Sequence, residues 1–136
     1  MSAQSSHDRL VGELSSWIAD NLLNGDPGYI LKDVPGVNAD KKPPMVSGFV
    51  PDVYVPSIHG SRLVLGEAET GASLESKHTR MQLEAFLRYC ACCDNAVLVL
   101  AVPWDLVGLA RGIMRQLKMT QGAGGVTTIV LAKLPG

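Results

Sequence analysis

Long apolar runs, a basic excess and paired cysteines are what this 136-residue sequence lacks. No apolar run approaches the ~20 residues of a membrane-crossing helix, so the expectation is a protein that does not span a membrane. The formal net charge is −1, without the surplus of lysine and arginine that announces many nucleic-acid binders. Any contact with nucleic acid must then come from a local basic patch or through bound metal cations. The cysteines Cys90, Cys92 and Cys93 are an odd set in one segment, which is poor disulfide arithmetic and suits a reducing compartment. Cys90 is best read as core, and the zinc-ribbon and redox readings of the set are set aside. The opening MSAQSSHDRL lacks the charged-then-apolar layout of a signal peptide, so a cytoplasmic location is expected.

What is present is apolar. Hydrophobic residues make up 46% and charged ones 18%, a balance that favours one packed domain over residues 1–136 and argues against disorder. Residues Ser6 to Asn24 read as an amphipathic helix, with Leu10, Leu14, Trp17, Ile18 and Leu22 at helical spacing and Gly25 where a C-terminal cap belongs. Short strands are expected at Tyr29–Val34, Phe49–Val55 and Arg62–Thr70, the last two joined by the turn-like Ser57-Ile58-His59-Gly60-Ser61. A second helix should start near Ser73 and end at Asn95, with Leu83, Phe86, Leu87 and Cys90 as its apolar stripe. Ala96–Val102 is the clearest buried strand. Pro103 opens a third helix to about Lys118, with Leu106, Leu109, Ala110, Ile113 and Leu117 inward, and Val126–Ala132 is a last strand. The order is α-β-β-β-α-β-α-β, an α/β fold with a mixed sheet flanked by helices.

Acids break into this apolar pattern at two strand ends. Side chains alternate along a strand, so Glu67 and Glu69 share a face with Leu63 and Leu65, at the end of a buried row. If the strands around Asp52 and Glu67 pair as a hairpin, three carboxylates converge. Like charges so placed repel, and burial raises the cost. Protons or a hard divalent cation relieve it, and magnesium prefers one or two carboxylates, water and substrate phosphate. The acids therefore read as a magnesium cradle for phosphodiester chemistry.

Pro51-Asp52 followed by Glu67-Ala68-Glu69 resembles the core motif of the PD-(D/E)XK nuclease superfamily, which includes restriction endonucleases and Holliday junction resolvases. The element order over most of the chain is similar to that fold's core, so a restriction-endonuclease-like sheet is expected. The resemblance implies a Mg2+- or Mn2+-dependent deoxyribonuclease, an endonuclease acting on DNA, with RNA open as a substrate and a homodimer to grip both strands. It makes Asp52 and Glu67 the metal-binding acids, adds the backbone carbonyl of Ala68, and allows a further acid from the first helix, where Glu13 fits. Lysine is usual at the last motif position, and this chain has Glu69, which would hold or activate the nucleophilic water or recruit a second metal. On the second helix, Gln82 would orient water or bind phosphate, His78 would do likewise, and Lys77 is a candidate for a displaced catalytic lysine. The alternative is a nuclease-like fold without catalysis that binds nucleic acid or protein. Arg111, Arg115 and Lys118 form a basic stripe on the third helix, read first as a solvated face and second as a phosphate contact.

Overall fold

Two pairing modes meet on one strand of the sheet. The computed structural model describes residues 6–57 and 62–133, and in it the strands β1 (Leu31–Lys32), β2 (Val53–Val55), β3 (Leu63–Ala68), β4 (Ala96–Pro103) and β5 (Thr127–Lys133) lie side by side in chain order. β1, β2 and β3 pair antiparallel, with Val53 opposite Gly66 and Val55 opposite Val64. β3, β4 and β5 pair parallel, with Glu67 opposite Leu100 and Ala68 opposite Ala101. The expected mixed sheet is present. Of the turn between β2 and β3, Ile58 to Ser61 lie outside the described residues.

Helices cover both faces, because the buried strands alternate between two apolar sets. Val53, Val55, Val64, Ala68, Val97, Val99 and Ala101 pack under helix α1 (Ser6–Leu22) through Leu10, Val11, Leu14 and Ile18. Leu63, Leu65, Leu98, Leu100 and Val102 face α2 (Lys77–Ala91) and α3 (Val107–Thr120), meeting Leu83, Phe86, Leu87, Ala110 and Met114. Parallel strands joined by helices need cover on both sides, which is why β4 reads as a continuous apolar run. Gly66 lets α1 sit close: a Cβ there would lie 3.0 Å from Val53 Cβ and 3.1 Å from Leu14 Cδ2.

Boundaries moved where local hydrogen bonds outweigh propensity. The first strand shrinks to Leu31–Lys32, and Phe49 pairs with Val46 in an isolated bridge outside β2. α1 closes as expected at Gly25, whose φ of 82° lets its N–H reach the carbonyl of Ala19 at 2.7 Å. α2 starts at Lys77, later than expected, because Ser76 and not Ser73 caps it, accepting from the Thr79 N–H at 3.1 Å. Pro103 ends β4, and a 3-10 turn, Trp104–Leu106, precedes α3. Leu109, expected inward, is exposed, and Met114 fills the core in its place. Cys90 is core, and burial pushes its thiol up to about 12, so it is chemically inert. No described helix is long and apolar enough to cross a membrane.

Candidate acidic site

β3 is buried along its whole length, yet its chemistry changes halfway. Glu67 follows the parity of Leu63 and Leu65 and is only 2% exposed, and Glu69, one residue past the strand, is 7% exposed. Asp52 immediately precedes β2 and is also buried. The antiparallel register brings it to the far end of β3, because Val53 lies opposite Gly66.

Reciprocal bonds lock these strand ends together. The Asp52 N–H donates to Glu67 Oε1 at 3.0 Å, and the Ala68 N–H donates to Asp52 Oδ2 at 2.9 Å. Each carboxylate thus satisfies a backbone donor on the other strand, which fixes the side chains without apolar packing. The N–H of Glu69 donates to the Ala101 carbonyl at 3.0 Å, which anchors this residue beside β4. Its carboxylate accepts from Ser73 Oγ and is also hydrogen-bonded by Thr79. Ser73 Oγ in turn accepts from the Thr70 N–H at 3.2 Å.

The electrostatics show the strain of this arrangement. Burial pushes the Glu67 carboxyl well above its ordinary range, and the neighbouring charges of Asp52 and Glu69 push it further. Burial also raises Glu69, against the opposing pull of the Ser73 hydroxyl. A compensating cation comes from α1, where His7 Nε2 lies 3.2 Å from Asp52 Oδ2. That hydrogen bond outweighs burial and raises the imidazole to about 9, so His7 is charged at neutral pH.

Asp52, Glu67, Ala68 and Glu69 are therefore brought together. Gln82 lies on the same side of α2 as Thr79, about one turn on, buried and with no side-chain hydrogen bond to another described residue. His78 is exposed and stands edge-on to the Phe49 ring, 5.6 Å between centroids. Lys77 is exposed at the first position of α2, on the side away from Thr79. Glu13 lines a shallow groove on the outer side of α1 with Arg9, Ser16 and Asp20, apart from the other acids. Its position beside the apolar stripe put it within reach on the sequence alone, but the contact face of α1 runs through Leu10, Val11, Leu14 and Ile18.

His7, Ser73 and Thr79 escaped the sequence reading. His7 sits three residues before Leu10 and four before Val11, so helical spacing places it on the sheet-facing side, a signal available before any coordinates. Ser73 carried a helix-cap signal that masked its bond to Glu69.

The donor chemistry, hard carboxylate oxygens in a buried and mutually repelling set, fits magnesium or manganese. Among the described residues, no group of three or more His, Cys, Asp or Glu is gathered closely enough to hold an ion by itself. Magnesium commonly takes only one or two protein carboxylates and completes its shell with water and phosphate, so a pair of carboxylates is chemically compatible with such an ion. No family model, no curated protein and no solved structure matches this chain.

Proposed function

We propose that the chain is a Mg2+- or Mn2+-dependent endonuclease of PD-(D/E)XK type that hydrolyses phosphodiester bonds in DNA, on a restriction-endonuclease-like core. The observation that supports this most is the burial of Asp52, Glu67 and Glu69 at one end of β3, with the Asp52 N–H bonded to the Glu67 carboxylate and the Ala68 N–H to the Asp52 carboxylate. A protein gains no stability from three buried like charges, and a cationic substrate complex gives them a use.

Asp52 and Glu67, with the Ala68 carbonyl, would hold the metal, which when bound supplies Lewis acidity at a phosphoryl oxygen and lowers the pKa of a bound water. Glu69 is the proton acceptor. Its raised pKa makes it a better base near neutrality than an exposed glutamate, and Ser73 and Thr79 hold its carboxylate in place. The water oxygen attacks phosphorus as its proton passes to Glu69. The P–O ester bond on the opposite side breaks, and the leaving alkoxide takes a proton from solvent. Gln82 contributes an unengaged amide to orient that water or a phosphate oxygen. His7 fixes Asp52 and supplies positive charge that the usual motif lysine would otherwise bring. A homodimer would present two such sites to the strands of a duplex.

A second reading rests on one observation. The carboxylates of Asp52, Glu67 and Glu69 each already hold a protein partner, as in a fold kept for binding nucleic acid or protein after catalysis is lost. One assay separates the two. Plasmid, single-stranded and branched DNA, with an RNA arm, are incubated with the protein in Mg2+, Mn2+ or chelator. Metal-dependent nicking that disappears in Asp52→Asn supports the nuclease. An inert parent in both metals on every substrate overturns it in favour of the binding module.

A further inference from the structure

At the sheet edge formed by β5, a second charged region has the opposite sign. Arg111, Arg115 and Lys118 of α3 line a groove of about 450 Å³ together with Met114, Thr128 and Val130. None of the three cations makes an ion pair or hydrogen bond to another described residue. The floor is the last strand of the sheet: among the described residues, β5 pairs with β4 alone, so its outer edge keeps unpaired N–H and C=O groups. An open edge is a template for another strand.

We propose that this groove binds an extended acidic peptide segment, which adds as a sixth strand beside β5 and places alternate carboxylates under the basic stripe. The spacing supports the match. Arg111 and Arg115 are four residues apart on a helix, a rise of about 6 Å. Same-face side chains two apart on a strand are separated by about 6.6–6.8 Å. An acidic-x-acidic pattern therefore meets both guanidiniums, and Lys118 extends the stripe by about 4.5 Å. Val130, only partly buried, offers apolar surface to the stem of a side chain.

Other occupants fit less well. A second copy joined edge to edge by a two-fold would set two basic stripes against each other, which costs free energy at every pair. A phosphate backbone would satisfy the cations but not the alternating donors and acceptors of the β5 edge. Charge beside an open edge is also a known guard against edge-to-edge association.

The test uses a labelled peptide, Ac-Thr-Glu-Val-Glu-Val-Glu-Thr-NH2, read by fluorescence anisotropy at low salt. Binding should be at least tenfold tighter than to a peptide of the same composition with its glutamates contiguous. The double variant Arg111→Glu/Arg115→Glu changes only exposed side chains and should lose at least tenfold in affinity while keeping the parent melting temperature. Two N-methylated peptides, one modified at odd and one at even positions, should differ: one loses binding and the other retains it, since only alternate N–H groups face β5. Equal affinity for the alternating and block peptides, or equal tolerance of both methylation patterns, overturns strand addition and leaves charge attraction alone. An oligonucleotide that binds more tightly than the peptide, and is lost in the double variant, assigns the groove to nucleic acid and overturns the proposal. Neither the probe nor the variants touch Asp52, Glu67 or Glu69, so this outcome is separable from the cleavage assay.

Discussion

The two halves of β3 are equally buried and do opposite things. Leu63, Val64 and Leu65 vanish into two apolar layers and contribute stability by leaving water. Glu67, as deep on the same strand, and Glu69, one residue past its end, place ionisable carboxyls where solvent cannot screen a charge. The comparison teaches that burial alone does not mark a core. What marks a site is burial whose cost is answered by directed bonds: Asp52 to Ala68, Asp52 to Glu67, Ser73 to Glu69 and His7 to Asp52.

The largest expected contrast is in catalysis. On the proposed nuclease reading, Asp52→Asn, Glu67→Gln and Glu69→Ala should each lower metal-dependent nicking by ~10²–10⁴-fold, the range of positioned acid-base and metal-holding groups. Gly-free apolar changes such as Val64→Ala should leave the rate per folded molecule within a few-fold. Glu69→Lys introduces the lysine of the family that the motif resembles but sets a cation where the Ser73 hydroxyl donates to an anion, so poor activity is expected on the proposed nuclease reading. Robust cleavage by Glu69→Lys over an inactive parent would show that Glu69 is not a catalytic base.

Stability should show the reverse order. Leu65→Ala at the apolar half removes a fully buried side chain and should cost about 2–5 kcal/mol in urea unfolding. Glu67→Gln in metal-free protein should hold or raise stability, because the amide oxygen still accepts from Asp52 while the repulsion disappears. A loss as large as that of Leu65→Ala would mean that Glu67 is a structural group and break the comparison. Between the two halves, Gly66→Ala should cost about 1–3 kcal/mol by overpacking, since its new methyl meets Val53 and Leu14 at 3.0 and 3.1 Å.

A divalent ion should act on the acidic half only. At 100 times its dissociation constant, a ligand that binds the native state stabilises by about 2.7 kcal/mol, a shift of several degrees in melting temperature for a domain this size. Asp52→Asn should remove that shift and Leu65→Ala should keep it. No shift in the parent at millimolar Mg2+ or Mn2+ would count against an ion at this end of β3.

The smallest effect is in pH. The folded-state pKa of His7 is raised from 6.5 to about 9, so its stabilising contribution is fully present below about pH 6.5 and is lost as pH rises through about 9. Glu67 and Glu69 are also raised, so the native state holds their protons more tightly than the unfolded chain and loses stability as pH climbs above the ordinary carboxylate range. Both trends run the same way: metal-free protein in chelator should lose stability from mildly acidic to alkaline pH. His7→Gln should flatten the part of that curve between pH 6.5 and 9. An unchanged slope would mean that His7 and Asp52 do not pair in solution.

How far the sequence reached depends on the range of the interaction involved. Strand alternation is local, so the shared face of Glu67, Glu69, Leu63 and Leu65 was legible, and so were the apolar β4 and the cap at Gly25. The strand limits at Leu31 and Val53 were not, because Phe49 turns back to Val46 and shortens the ladder. Ser73 and Ser76 carry identical cap chemistry three residues apart, and only the position of Glu69 decides which is drawn away from the helix.

By itself the sequence determined the periods of its elements and the residue types at their ends, because both follow from backbone geometry within a few residues. It also set the acidic end of β3 through the two-residue spacing of Glu67 and Glu69. Only the tertiary structure decided who stands against those acids. His7 reaches Asp52 across 45 residues of chain, while Glu13, one helix face away, stays outside with Arg9 and Asp20. The reason is the rotation of α1 on the sheet, which Leu10, Leu14, Ile18 and the missing side chain of Gly66 fix together, and which no segment of the chain specifies alone.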